Sequence, residues 1–575
     1  VLEKQIELKP QKPQIARSIE DEYGLRSLSS RILAARGYEA GASLEKFLEP
    51  SLKTGLIKPD GLKGLAAACE LVSQMVKDKK VISIACDFDV DGLSGGSQLV
   101  HFFRSIGVEC HAFVPDRFED GYGLNAKIIA AAAEVNTSLL IAVDFGTTAH
   151  KELALAKTAG MLTLVIDHHH VETGSEPKCD VFINPQQVGC GFADKTLCAA
   201  GLVWYFLLGL KESLKEILPV VGTVDVRSYL DLACLGTVCD MVPLVGVNRV
   251  IARRGLELLS LTKRPGLVAL KNVAGIRDEV SCYDLSFALG PRINAAGRMV
   301  HGELVIELLT TSDSTKAASI AGRLNKLNSD RQETEKEAKR LCLKKVEKIY
   351  PEGSIPEAIV LWDEEFHTGV VGIVAQRLVE MFHKPAVVLG IDKDGLFKGS
   401  VRGIKGMSVV SALSANSDLL LKYGGHEAAG GLTLAADNLE KFCSGFINYC
   451  SSQISKEKFI PRILADTEVG LSEITKPSID EFDRFAPFGM GNPSPAVLAR
   501  GLTVQSVSEI KGTHTKASLT DGRSFIAGML WRQVDHPLIR KGSKVDVVFK
   551  PDYSTFNGIC EIQANIQAVQ ASSRS

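Results

Sequence analysis

Three clusters of acids and imidazoles stand in the first third of the chain. CDFDVDG carries Asp87, Asp89 and Asp91, VDFGTT carries Asp144, and VIDHHH carries Asp167, His168, His169 and His170. Carboxylates brought together repel one another unless cations neutralise them. Oxygen donors with one or two imidazoles suit Mn²⁺ or Mg²⁺ better than a thiolate-loving metal. Two such ions roughly 3.5–4 Å apart form a clamp for phosphodiester hydrolysis, polarising the phosphate and lowering the pKa of an attacking water. A D-x-D-x-D-G run also opens calcium loops, but those need a glutamate six residues after the glycine, and Gln98 stands there. Each cluster taken alone could be a turn, a helix cap or a surface loop. If the strand before VIDHHH continued through it, His168 and His170 would share one direction and His169 the other.

Short apolar runs precede the clusters at 81–85, 139–143 and 161–166, and the helix-like NAKIIAAAAEV and AHKELALAKTAG stand before the second and third runs. Strands alternating with helices at this spacing predict an α/β domain with a doubly wound parallel sheet. Ligands of such sheets bind beyond the carboxyl ends of the strands, where all three clusters would converge.

The rest of the chain divides by pattern. Residues 1–75 read as a helical lead-in, and the domain bearing the clusters takes 76–312. Residues 313–349 read as one long connector helix, with Leu324, Leu327, Arg331, Thr334, Ala338, Leu341 and Lys345 on a weakly apolar stripe. A second α/β pattern follows at 350–458, with the glycine-rich FKGSVRGIKG and KYGGHEAAGG. Residues 459–575 read as a small β-barrel. Between 505 and 550 it carries eight Lys or Arg against four Asp or Glu, with Phe525, Trp531 and Phe549 interleaved. Basic groups track a nucleic-acid backbone and aromatics stack on bases, although at least two of these three rings are expected in the barrel core.

Bulk composition agrees with a soluble multidomain protein. The chain has 575 residues, 45% hydrophobic and 23% charged, with a formal net charge of −2, so no global basic field announces a polyanion. Its 13 cysteines form no CxxC pair and lie mostly in apolar runs, which predicts reduced thiols in a cytoplasm. No apolar run approaches a membrane span, and the first residues hold no signal-peptide core.

CDFDVDG, VDFGTT, IDHHH and LDLACLGTVCDMVPL resemble the four motifs of the DHH phosphoesterases. FVPDRFEDGYGLN, GPRINAAGRM, HTGVVGIVAQRL, GSVRGIKG, YGGHEAAGGL and FAPFGMGNPSPAV, in that order, narrow the resemblance to the RecJ family within them, over residues 35 to 565. The resemblance implies that Asp87, Asp89, Asp144, His168 and Asp240 hold two Mn²⁺ or Mg²⁺ ions, with Asp231 the alternative to Asp240. It sets His169 against the scissile phosphate or the attacking water, with Asp167 beside it in the catalytic set and Asp91 as a ligand or a backing acceptor. Residues 350–458 become a DHHA1 domain, and 459–575 an oligonucleotide-binding (OB) fold.

Substrate contacts are expected from Arg117, Tyr122 and Asn125, from Arg292, Asn294 and Arg298, and from His367, Ser400, Arg402, Gly424, Gly425 and His426. Amides in glycine-rich turns and nearby cations suit phosphates, and an Arg in a Gly/Ala-rich segment is costly to bury unless it meets a phosphate or an acid. Cys86 departs from the family's usual glycine, and Phe366 and Thr368 depart around His367.

The activity implied is digestion of single-stranded DNA, 5′ to 3′ to mononucleotides, in DNA repair and recombination. A cleft between the two α/β domains, too narrow for duplex, would select single strands by shape. A monomer is implied, with a single-strand-binding protein and a RecQ-type helicase as partners and no membrane. A phosphodiesterase for short oligonucleotides or cyclic dinucleotides would need no C-terminal barrel, and a DNA-binding scaffold would need no acids.

Overall fold

The computed structural model describes residues 4–116, 122–299, 302–351, 355–556 and 559–572; the side chains of 298, 299, 556 and 559 are also outside the description. The chain forms two compact units, one of residues 41–329 with 484–494, the other of 1–40, 330–483 and 495–575. Strand β1 (Gln5–Leu8) belongs to the second of these.

The unit containing 41–329 is built on five parallel strands: β2 (Ile82–Cys86), β3 (Cys110–Phe113), β4 (Leu139–Val143), β5 (Leu162–Ile166) and β6 (Val181–Ile183), in the order β3-β2-β4-β5-β6. Alternate residues feed two cores. Ile82, Ile84, Leu139, Ile141, Val143, Leu164 and Ile166 join the large core with helices Val90–Ser105 and Ala199–Leu214. Ala85, Leu140, Ala142 and Val165 join the smaller core with helices Ala126–Glu134 and His150–Thr158. Covering both faces explains why the strands read as continuous apolar runs. The chain leaves β2 for β3 on one side and returns to β4 on the other, so β2 and β4 flank a topological switch point, where such sheets bind ligands.

The other unit holds a five-stranded mixed sheet of β7 (Ile359–Trp362), β8 (Ala386–Ile391), β9 (Phe397–Arg402), β10 (Lys422–Gly425) and β11 (Ala429–Leu434), in the order β10-β11-β9-β8-β7. Next come β12 (Arg462–Ala465), which pairs with β1, and β13 (Thr467–Glu468). The final strands β14 (Val497–Ile510), β15 (His514–Thr520), β16 (Phe525–Leu530), β17 (Lys544–Phe556) and β18 (Ile559–Ala571) close into a barrel, because β14 pairs with both β15 and β17. Only Phe549 among the three interleaved aromatics is buried; Phe525 is 66% and Trp531 50% exposed, against the expectation that at least two would fill the core.

Helix Ser314–Ile349 runs unbroken. Ala317, Ile320, Ala321 and Leu324 enter the core of one unit, and Ala338, Cys342 and Val346 enter the core of the other. The second half therefore turns its face toward Cys342 and Val346 rather than Lys345. Among the described residues no helix is long and apolar enough to cross a membrane.

Candidate metal centre

The strand ladder continues one residue past the end of each strand. Asp87 N–H donates to the Val143 carbonyl (3.2 Å), Asp144 N–H to Ile166 (3.0 Å) and Asp167 N–H to Ile183 (3.0 Å). With Cys86 level with Val143, Val143 with Ile166 and Ile166 with Ile183, the residues Asp87, Asp144, Asp167 and Asn184 form one row along the carboxyl edge of the sheet. Asp144 adopts φ +67°, a left-handed conformation that costs a non-glycine residue on the order of 1–3 kcal/mol and is concentrated at functional sites.

Helix Val90–Ser105 starts in the turn after β2. Asp89 caps it, accepting from the N–H groups of Asp91 (2.9 Å) and Gly92 (3.2 Å). Asp91, in the first turn, accepts from Ala199 N–H (2.7 Å) and Ala200 N–H (2.9 Å), the first amides of helix Ala199–Leu214. A carboxylate suits that positive helix end. The approach of helix Leu230–Cys239 requires glycine at 236, where a Cβ would lie 2.6 Å from Asp91 Oδ1. That helix ends at Asp240.

His168 Nε2 lies 3.3 Å from Asp144 Oδ1, 3.6 Å from Asp240 Oδ2 and 3.9 Å from Asp91 Oδ2. Asp231 is elsewhere: it opens the same helix, buried and paired with Arg264 at 3.1 Å. Of the two alternatives, Asp240 is the one brought to His168.

The histidines leave the strand at Ile166 and lie in a loop, so alternation along a strand does not orient them. Asp167 orients them instead. It accepts from the N–H groups of Thr147 (3.0 Å), His168 (2.8 Å) and His169 (3.2 Å), from the Thr147 hydroxyl (2.6 Å) and from His169 Nδ1 (2.7 Å). His169 Nε2 then meets the Tyr122 hydroxyl at 3.1 Å, and that hydroxyl donates to the Asp144 carbonyl at 3.2 Å.

Asn184 and Gln186 hold the loop from beneath, the first donating to the His169 carbonyl (2.9 Å), the second to that of His168. Neither residue is among those expected from the sequence. Their signal was the INPQ that follows a strand of only three residues.

Ligand atoms within 4.8 Å of one another form the sets Asp87/Asp89/Asp144, Asp91/His168/Asp240 and Asp144/His168/His169. The first two share no residue, so donors are present for two ions. Charge crowding agrees. Burial, and then Asp91, Asp89 and Asp87, hold the Asp144 carboxyl well above the usual carboxylate range. Burial, and then Asp91 and Asp89, push Asp240 up in the same sense. Cations would relieve both. Burial lowers His168, against the pull of Asp91, and so favours the neutral imidazole a metal needs. Burial would also lower His169, but its hydrogen bond to Asp167 prevails and raises it to about 9. Asp167 is held below the usual range: its bonds from His169 and Thr147 outweigh burial.

Comparison with known proteins assigns the domains. Family models match at 81–237 (DHH family, N-terminal domain), 356–452 (DHHA1 domain) and 465–568 (RecJ OB domain). The single-stranded-DNA-specific exonuclease RecJ of Dickeya dadantii is 32% identical over 568 residues, covering 94% of this chain and 96% of that protein.

The chain belongs to the RecJ family. The RecJ of Bacillus subtilis is 33% identical over 88% of this chain, which spans only 62% of that longer protein. The crystal structure of Thermus thermophilus RecJ in complex with Mn²⁺ superimposes with a TM-score of 0.83 at 26% identity, covering 98% of this chain and 79% of that one. A second RecJ structure, bound to manganese, is 32% identical with a TM-score of 0.59, covering 69% of this chain and 96% of that one.

The remaining residues expected from the RecJ resemblance are dispersed. Arg117 and the Arg298 side chain lie outside the described residues. Asn125 caps helix Ala126–Glu134, accepting from Ile128 N–H (3.0 Å). Arg292 is satisfied without phosphate or acid, donating to Asn325 Oδ1 (3.0 Å) and the Ala288 carbonyl (2.7 Å). Asn294 sits half-buried on the same helix, Gly290–Met299.

In the DHHA1 domain, Arg402 donates to the Ser400 hydroxyl (2.6 Å), which donates to the Gly430 carbonyl (3.2 Å). Gly424 and Gly425 face Gly431 and Gly430 across an antiparallel pair, and His426 closes the turn by donating to the Ala429 carbonyl (2.8 Å). His367 Nδ1 accepts from Gly369 N–H at 3.1 Å. Ser400, Arg402 and the glycines thus belong to adjacent strands of one sheet.

Proposed function

We propose that the chain is a metal-dependent exonuclease that hydrolyses single-stranded DNA. The row of acids at the carboxyl edge of the sheet, with His168 among them, in a chain of the RecJ family, is the observation that carries this reading. Asp87, Asp89 and Asp144 would hold one divalent ion, and Asp91, His168 and Asp240 a second. Mn²⁺ or Mg²⁺ bound there supplies Lewis acidity at the phosphoryl oxygen and lowers the pKa of the attacking water. His169, fixed through Nδ1 by Asp167, would present Nε2 to a phosphoryl oxygen or to the attacking water. Tyr122 sets the direction of its Nε2. Ser400, Arg402 and the glycine-rich strands bind substrate phosphates, and the exposed Trp531 and Phe525 stack on bases.

The family resemblance supplies the direction, 5′ to 3′ to mononucleotides, the role in repair and recombination, and the expected single-strand-binding and helicase partners. Product sizes followed in time with Mn²⁺ on end-labelled long single strands, duplex DNA and a cyclic dinucleotide test the reading. Mononucleotides released at once from 5′ ends of single strands are expected. Preferential hydrolysis of the cyclic dinucleotide, or release from 3′ ends, would replace it.

A further inference from the structure

Residues 484–494 lie far along the chain, between β13 and β14, yet pack as part of the unit that holds the acids. Their place there is specific. Asp240 ends its helix, Met241 follows with φ +60°, and a five-residue loop, 241–245, leads to the next helix, Gly246–Ser260. The 484–494 segment fastens that loop. Leu244 N–H donates to the Met490 carbonyl at 2.8 Å. Glycine backbone lies directly on the loop: a Cβ at Gly489 would come 2.7 Å from Leu244 Cδ1, and one at Gly491 would come 3.0 Å from Pro243 Cβ.

The segment is itself anchored. Arg249, buried on helix Gly246–Ser260, donates to the carbonyls of Arg484 (3.1 Å), Phe485 (2.8 Å) and Ala486 (2.8 Å), donates from Nε to the Phe47 carbonyl (2.8 Å), and lies over the Phe47 ring. Asn492, also buried, donates to the carbonyls of Phe485 (2.8 Å) and Pro487 (2.9 Å) and so closes the segment on itself. A buried guanidinium is tolerated only with such partners. These contacts leave the loop after Asp240 little freedom.

We propose that residues 484–494 form a brace that positions Asp240 for its divalent ion, with Gly489 and Asn492 as positioning residues. This rests on the reading of Asp240 as a metal ligand. Groups that orient ligands without touching the metal change its affinity by roughly 10–100-fold when altered, and the brace acts on Asp240 through the backbone of a single short loop.

Gly489→Ala in the full-length chain is the direct test, since its new methyl must displace Leu244 and Gly489 has no left-handed backbone to strain. Calorimetric titration of Mn²⁺ should show one binding event weakened by roughly 10–100-fold, with apo melting within about 2 °C of the parent. Adding Leu244→Val, which removes the crowded Cδ1, should restore the affinity, and Leu244→Val alone should leave it unchanged. Asp240→Asn should weaken the same event. Parental Mn²⁺ binding by Gly489→Ala, beside a deficit in Asp240→Asn, sinks the brace and leaves the ligand standing. Loss of affinity that Leu244→Val does not rescue, or that comes with a lowered apo melting point, also overturns it. Parental binding by Asp240→Asn removes Asp240 from the ligand set, and the brace proposal falls with it.

Discussion

Asp144 concentrates the chemistry at the scale of single residues: its backbone is strained, its carboxyl is buried among acids, and it lies against His168. Asp144→Ala should relieve repulsion in the metal-free protein and leave its melting unchanged or raised, while removing a ligand. Turnover in saturating Mn²⁺ should fall by far more than tenfold, an effect of about 1.4 kcal/mol; a smaller loss would show that the group holds no metal. A different task is proposed for His169. His169→Ala should lower kcat by about 10²–10⁴ with little change in Mn²⁺ affinity, whereas His168→Ala should lose a binding event. Calorimetry on both variants decides between them, and the reverse pattern would exchange the roles. The positions of Asp87, Asp144 and Asp167 at the sheet edge were legible because each follows an apolar run, whereas Asp240 was reached only through the family resemblance. Their partners were not: Asn184 and Gln186 follow a strand too short to read, and the orientation of the histidines comes from a loop centred on Asp167 rather than from a strand.

Elements of the other unit are held by a buried charge at the root of the barrel. Asp466 follows β12 and receives Arg36 (2.8 Å), Lys9 (2.7 Å) and Ala496 N–H (3.1 Å). Burial would raise its carboxyl, but Arg36 and Lys9 prevail and hold it below the usual range. A carboxyl depressed on folding stabilises above the unfolded pKa, about 3.9, and that stability is lost as pH falls through the lower folded value. Asp466→Asn should therefore cost about 3–5 kcal/mol at neutral pH by breaking the buried ion pair with Arg36. The cost should stay constant down to about pH 5 and shrink below pH 4. Denaturant unfolding at several pH values reads it, and a penalty that grows toward low pH would contradict the assignment. The exposed ring of Trp531 makes a separate case. Trp531→Ala should weaken single-strand binding by about 1–3 kcal/mol with little loss of stability, while Phe549→Ala should cost about 3–5 kcal/mol of stability. Equal effects on binding and stability in both would place Trp531 in the fold rather than on the substrate. Strand signals found most of the barrel, but Phe525 and Trp531 carry the same apolar signature in sequence as Phe549, and only their position on β16 and the turn after it separates them.

Across the whole molecule, sequence order and spatial order part company. The long-range divisions are legible as changes of pattern, but nothing local marks 484–494 as part of the metal-bearing unit, or 5–8 as the partner of 462–465, because such pairings are settled by tertiary packing alone. Removing 460–575 would therefore do more than weaken DNA binding. It would strip Arg249 of its three carbonyl acceptors and lower the melting of the remaining metal-bearing unit, which scanning calorimetry on the truncated chain checks. Undiminished melting would mean that those contacts contribute nothing to that unit. The central claim, that the acids at the sheet edge hold the ions that cleave DNA, has one most direct measurement: Mn²⁺ stoichiometry and single-strand turnover on the same preparation, for the parent and for Asp144→Ala. Two ions per chain, turnover that rises as the sites fill and vanishes with chelation, and, in the variant, loss of one bound ion together with turnover are expected. Turnover that survives chelation, or that persists in Asp144→Ala without bound Mn²⁺, would contradict the account.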